Sequence, residues 1–183
     1  MSADVPRSAL FLGGARSGKT RAALDLAERS SPTRIYVATA LALDDEMRAK
    51  VAAHRAERGE GWRTVEAPLD LAEAIARECA ADRATTVDCL TLWLANVIGA
   101  GRDAQEAVRA LADAVRGARG PLAIVTNEIG QGIVPADSAT RFFRDAHGAM
   151  NRAVAAACDR VILVTAGIEM IVKPAPHALS PLR

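Results

Sequence analysis

Little in this chain is aromatic. Two tryptophans, one tyrosine and three phenylalanines among 183 residues leave the core to Ala, Leu and Val, in a chain that is 50% hydrophobic and can bury a sizeable core unaided. Cysteine is scarce too. Cys79, Cys89 and Cys158 form no C-x-x-C pair; an odd, scattered set excludes a disulfide framework or a thiolate zinc site and fits a reducing compartment. Neither sign of charge prevails, with 23 basic and 22 acidic side chains and a net charge of +1. That balance argues against a dedicated nucleic-acid or membrane-surface binder. No apolar run approaches the ~20 residues needed to span a bilayer, and no charged-then-apolar leader opens the chain, so the expected location is the cytoplasm. Repeats and internal linkers are also lacking. The length suits one domain, expected over residues 1–173, with a Pro-rich tail at 174–183 expected to be mobile.

What is present is an alternation of short apolar runs with longer helical patterns. SALFLGG (8–14) reads as a strand entering a glycine turn, and Thr20 to Glu28 as a helix. RIYVATA (34–40) is a second strand, Asp44 to about Arg58 a helix stopping near Gly59, and WRTVEA (62–67) a third strand. Pro68 is expected to start a helix carrying Leu71, Ile75 and Cys79. ATTVDCL (84–90) leads into an apolar helix through Ile98; another helix covers Asp103 to Val115. PLAIVTNE (121–128) is a buried strand, a long helix at about 138–158 sets Phe142, Ala146, Met150 and Ala153 on one face, and RVILVTA (160–166) closes the set. Near-continuous apolar strands separated by helices predict an α/β fold, a mostly parallel, doubly wound sheet covered on both faces.

Residues 13–20, GGARSGKT, match G-x-x-x-x-G-K-[ST] between a strand and a helix. Gly13, Gly14 and Gly18 let the backbone bend tightly, and with Ala15, Arg16 and Ser17 they turn N–H groups inward toward phosphate. The helix N-terminus adds positive potential. Lys19 can reach the β- and γ-phosphates, and Thr20 can offer its hydroxyl to Mg²⁺. In such a sheet the acids that serve the ligand lie at the carboxyl ends of other strands. Asp88 and Glu128 qualify; either can hold Mg²⁺ through water or orient a nucleophilic hydroxyl.

His54 has two readings. Met47, Val51, His54 and Arg58 fall on one helical stripe, which makes the histidine an extension of an apolar face. Arg55 is adjacent and Arg58 one turn away, however, and two cations favour a neutral ring. Neutral imidazole can attack phosphorus while the arginines hold phosphate oxygens. Spacing alone leaves both open. His147, off the apolar stripe, and His177, in the tail, read as solvated residues.

Beyond GGARSGKT, the stretches YVATA (36–40), LDDEMRAKVAAHR (43–55), GWRTVEAP (61–68), VDCLTLWLAN (87–96), VTNEIGQGIVP (125–135) and FFRDAHGAMN (142–151) resemble the bifunctional adenosylcobinamide kinase/adenosylcobinamide-phosphate guanylyltransferase family of cobalamin biosynthesis. The resemblance implies that ATP or GTP phosphorylates adenosylcobinamide. GTP then guanylylates a histidine with release of pyrophosphate, and the cobinamide phosphate takes the GMP. It implies His54 as that histidine. The implied nucleotide contacts are the loop from Gly13 to Thr20, Ala38, Thr39, Ala40, Arg55, Arg58, Glu66 and Asp88, with Mg²⁺ at Thr20 and Asp88. Some relatives carry Glu where Asp88 stands, one methylene longer. A homotrimer is implied as well. Two rival readings stay open, a P-loop kinase for another small metabolite and a regulatory nucleotide-binding module, although no D-x-x-G switch pattern follows the second acidic strand.

Overall fold

A computed structural model of the chain describes residues 6–41 and 58–174. Most of the expected helix ending at Arg58, with His54 and Arg55, and the tail from 175, with His177, lie outside the described residues. Seven strands form one sheet: β1 (Ser8–Gly13), β2 (Arg34–Ala38), β3 (Trp62–Glu66), β4 (Ala84–Asp88), β5 (Leu122–Asn127), β6 (Arg160–Thr165) and β7 (Ile168–Lys173). The described helices are α1 (Lys19–Ser30), α2 (Leu71–Glu78), α3 (Leu90–Gly99), α4 (Ala104–Arg116) and α5 (Ser138–Ala157). Strand order is β3-β2-β4-β5-β1-β6-β7, every pair parallel except β6–β7.

Alternation along β1 divides the core. Leu10 belongs to a large cluster with residues of α2 to α5, while Ala9 and Phe11 face a smaller one built with Ala22, Ala23 and Leu26 of α1. The α1 face is made of small residues, so that helix lies close to the sheet. The other face takes larger side chains, Trp93, Leu111 and Met150 among them, all within 1% of fully buried. Burying one such side chain contributes about 1.5–3 kcal/mol.

Several expectations change. Pro68 does not start a helix: α2 begins at Leu71, after Asp70, and Pro68 instead presents its carbonyl to Asn96 Nδ2 at 3.1 Å. The buried face of α5 is His147, Met150, Asn151, Val154 and Ala157, turned from the predicted stripe, and Phe142 stays 59% exposed. A polar pair, His147 and Asn151, occupies core positions that a count of apolar residues passes over. His147 is therefore buried, not solvated. RVILVT does not close the set either. Ala166 and Gly167, both at positive φ, make a two-residue turn of the primed hairpin kind that adds β7 as an antiparallel edge. Finally, α3 straddles both clusters, with Leu90, Trp93, Leu94 and Val97 in one and Leu92 packed on the other. Its apolar residues pack within the chain.

Candidate functional site

The glycine loop is built from main chain. Strand β1 ends at Gly13, and a Cβ there would lie 2.4 Å from the Val164 carbonyl oxygen and 2.5 Å from Ser17 Oγ, so only glycine fits without a shift. Gly18 turns into α1 at φ 96, a left-handed conformation that glycine enters freely. The loop is braced from β6–β7: Gly167 N–H donates to the Ser17 carbonyl at 2.9 Å. Nothing in the loop's own sequence announces that brace; its signal was the Ala-Gly pair between two apolar runs. Lys19 is 8% exposed, and its Nζ donates to the Gly14 carbonyl at 2.9 Å. Burial lowers its pKa, opposed by the Asp88 charge. Thr20 is half-buried on the first turn of α1.

The second corner lies at the carboxyl ends of β2, β3 and β4. Register sets Glu66, Ala38 and Asp88 side by side in one row, so three of the predicted positions are brought together. Thr39 follows Ala38 and is fully buried. Its hydroxyl donates to the Cys89 carbonyl and accepts from Cys89 N–H, both at 2.8 Å, while its N–H donates to the Asp88 carbonyl at 3.2 Å. Both hydroxyl roles are thus committed to seating Asp88 and Cys89. Asn96 of α3 donates to the Thr39 carbonyl at 2.8 Å, which fixes the turn into Ala40. Burial pushes the Cys89 thiol up to about 11, helped by Asp88, so it remains protonated at neutral pH.

One residue at this corner was not anticipated. Tyr36 Oη donates to Asp88 Oδ2 at 3.0 Å. The Arg58 guanidinium lies 3.6 Å above the same ring and donates to Thr64 Oγ1 at 3.3 Å. Arg58 is 7% exposed, a setting in which a cation–π contact contributes about 2 kcal/mol. Burial, and then the Asp88 charge, hold the phenol protonated. Trp62 meets Tyr36 edge-on at 6.4 Å.

Glu128 follows β5. Its N–H donates to the Gly13 carbonyl at 3.1 Å, tying this residue to the loop's entrance; its carboxylate accepts from Gly130 N–H at 2.7 Å. Behind it lies a buried polar network. Thr91 Oγ1 accepts from Asn127 N–H at 3.1 Å and stands 2.9 Å from His147 Nε2. Asn151 donates to the Asn127 carbonyl at 3.0 Å and accepts from Thr126 Oγ1 at 2.8 Å. Burial lowers the His147 pKa, and only the Glu128 charge opposes it.

The donors assembled here, a hydroxyl and carboxylates, are hard oxygen ligands of the kind Mg²⁺ prefers. Among the described residues no group of three or more His, Cys, Asp or Glu could hold a metal alone, so an ion at this site would share its coordination with nucleotide oxygens. Thr20 and Asp88 fit that role.

The family described as "Cobinamide kinase / cobinamide phosphate guanyltransferase" matches residues 9–172. The chain is 42% identical over 170 residues to the bifunctional adenosylcobalamin biosynthesis protein CobP of Pseudomonas aeruginosa, covering 91% of this chain and 98% of that protein. It is 37% identical over 179 residues to the bifunctional adenosylcobalamin biosynthesis protein CobU of Escherichia coli, covering 90% and 98%. Among solved structures, the P4 protein from bacteriophage phi6 in complex with ADP is similar with a TM-score of 0.53 at 13% identity, over 94% of this chain and 56% of that one. The flagellar accessory protein FlaH from Methanocaldococcus jannaschii gives 0.51 at 11% identity, over 95% and 82%. Those two likenesses speak to the fold alone.

Proposed function

This chain belongs to the cobinamide kinase / cobinamide phosphate guanyltransferase family, and from that membership we propose how its residues divide two reactions. It is a bifunctional enzyme of adenosylcobalamin biosynthesis. The first reaction phosphorylates adenosylcobinamide with ATP or GTP. Backbone N–H groups from Gly13 to Thr20 cradle the phosphates. Lys19 offsets charge on the γ-oxygens as the aminopropanol hydroxyl attacks the γ-phosphorus and the bond to the β–γ bridging oxygen breaks. Glu128, tied to the loop's entrance, takes or orients the hydroxyl proton. Mg²⁺, when bound between Thr20, Asp88 and the nucleotide, neutralises phosphate charge.

In the second reaction a neutral His54 nitrogen attacks the α-phosphorus of GTP. The bond to the α–β bridging oxygen breaks, pyrophosphate leaves, and Arg55 and Arg58 stabilise its oxygens. A phosphate oxygen of the cobinamide phosphate then displaces the histidine, giving adenosylcobinamide-GDP. Splitting one transfer into two through a covalent intermediate is the usual gain from such a nucleophile. Ala38, Thr39, Ala40 and Glu66 border the nucleotide at the second corner.

The observation that carries this reading is a buried Lys19 in a glycine loop, its Nζ on the Gly14 carbonyl, with the Asp88 charge at the end of β4 acting on it. The test is reaction with α-labelled GTP followed by peptide mapping. The label should sit on His54, be labile in acid and persist in mild alkali. His54→Ala should lose label and GMP transfer and keep much of the phosphorylation. A label elsewhere, or full GMP transfer by His54→Ala, defeats the assignment; phosphorylation with no label in the wild type leaves a plain kinase.

Assembly as a homotrimer in the cytoplasm completes the proposal. Among the described residues no helix is long and apolar enough to cross a membrane. Edge strand β7 exposes Ile168, Met170, Ile171 and Val172, at 66, 47, 60 and 64%, a surface that a monomer would ordinarily blunt. Light scattering should give a trimer, and Ile171→Lys should shift it toward monomer; a monomeric wild type at micromolar concentration overturns it.

A further inference from the structure

We propose that Tyr36 is a positioning residue for both reactions, its hydroxyl aiming Asp88 for phosphoryl transfer and its ring seating Arg58 for guanylyl transfer. The inference rests on the division of labour above and adds a link between its halves. Tyr36 is the chain's only tyrosine. It stands mid-strand on β2, between two groups that are 30 residues apart in sequence and belong to different reactions.

The two contacts use different parts of the side chain. The hydroxyl donates to Asp88 Oδ2 at 3.0 Å. That bond occupies one carboxylate oxygen, restrains rotation of the side chain and leaves Oδ1 as the freer face. The ring's π surface carries the Arg58 guanidinium at 3.6 Å. Arg58 stands four residues after His54 in the chain, so whatever fixes Arg58 also fixes one end of the stretch that holds the nucleophile. The hydroxyl of Thr64 on β3 gives Arg58 a second anchor at 3.3 Å, and Trp62 supports the ring from its edge. A single side chain therefore touches the acid on one side and the cation on the other.

Separable contacts give a separable test. Tyr36→Phe keeps the ring and removes the hydroxyl. It should lower the phosphorylation kcat about tenfold, the scale of losing a hydrogen bond to a charged group, with the nucleotide KM and the first-order rate of GMP–enzyme formation within about twofold of wild type. Tyr36→Leu removes both contacts and should lower both rates about tenfold or more. Equal losses in Tyr36→Phe, or none, overturn the proposal, as does a folded Tyr36→Leu with wild-type guanylylation. Should Tyr36→Leu fail to fold, 3-fluorotyrosine incorporation puts fluorine on this ring alone. Its resonance should shift when GTP engages Arg58, and a resonance unmoved by GTP overturns the ring's part. A wild type that forms neither product nor adduct would indict the functional reading; a competent wild type with indifferent variants indicts only Tyr36.

Discussion

The two corners proposed to meet the nucleotide are held in different ways. At the end of β1 the grip is main chain: Gly13 against the Val164 carbonyl, Gly167 N–H on the Ser17 carbonyl, glycine at positive φ leading into α1. At the ends of β2 and β4 the grip is side chain: Thr39 on both backbone groups of Cys89, Tyr36 on Asp88, Arg58 on Tyr36. At Gly13 the backbone tolerates almost no substitution, because an added Cβ would lie against the Val164 carbonyl. Side-chain geometry degrades by steps, one hydrogen bond at a time. On the proposed division of labour, the first corner binds what every phosphoryl donor shares, and the second serves what is particular to this pair of reactions.

The sharpest test of that contrast is charge inside the backbone corner. Lys19→Ala should cut phosphoryl transfer by about two to three orders of magnitude, since the charge growing on the transferred group loses its preorganised cation, while circular dichroism and melting stay near wild type. Near-normal turnover in a folded Lys19→Ala protein would break the assignment of this loop. Gly13→Ala attacks the same corner through space. With a carbonyl oxygen 2.4 Å from the new Cβ, overpacking should cost about 3 kcal/mol, and nucleotide affinity should fall with it. Unfolding in urea and nucleotide titration read the two losses, and an unaltered affinity would show that the loop can relax.

Thr39→Val probes the side-chain corner. The isostere keeps the volume but strands the Cys89 N–H, while the Cys89 carbonyl still accepts from Trp93 N–H at 3.2 Å; the loss is about 2 kcal/mol. Melting temperature should drop, and phosphorylation should fall by a factor nearer ten than a thousand as Asp88 loosens. A collapse as large as that of Lys19→Ala would erase the difference between the corners.

Legibility in the sequence follows the same division. A backbone cradle needs glycines at fixed local offsets, so residues 13–20 announce it without help from the rest of the chain. The central strands β1, β2, β5 and β6 are legible for a related reason: both faces are largely covered, so each reads as a mostly apolar run. The Tyr36–Asp88 bond joins residues 52 apart, and no local pattern marks it. Strand β7 escaped because its exposed Ile168, Met170 and Ile171 look like neither an alternating nor a buried strand, and only the turn chemistry of Ala166 and Gly167 points to it. The α5 stripe was misread because hydrophobic periodicity cannot see a buried polar pair, and His147 with Asn151 was such a pair.

That pair gives the smallest expected effect and a pH signature. His147 packs in α5 with its Nε2 2.9 Å from Thr91 Oγ1 and its Nδ1 3.4 Å from Asn151 Nδ2, a donor. The neutral ring that fits has Nδ1 as acceptor and its proton on Nε2. Protonation would face Asn151 with a second donor and would place a charge in the core, which is why burial lowers the pKa below its ordinary 6.5. A histidine depressed in the fold binds its proton more readily when unfolded. Its contribution to stability is therefore complete above pH 6.5 and is lost as pH falls from there toward the depressed value. Between pH 7.5 and 5.5 the wild type should lose stability through this group, because the unfolded chain takes up a proton that the buried ring resists. His147→Gln, which cannot titrate, should lose correspondingly less over the same range, whatever its absolute stability. Urea melts of both proteins at the two pH values measure the difference. Identical slopes would mean that Glu128, the one acid acting on this ring, neutralises the imidazolium well enough for the core to accept it, and the side-chain network behind β5 would then be as forgiving as the Thr39 clamp.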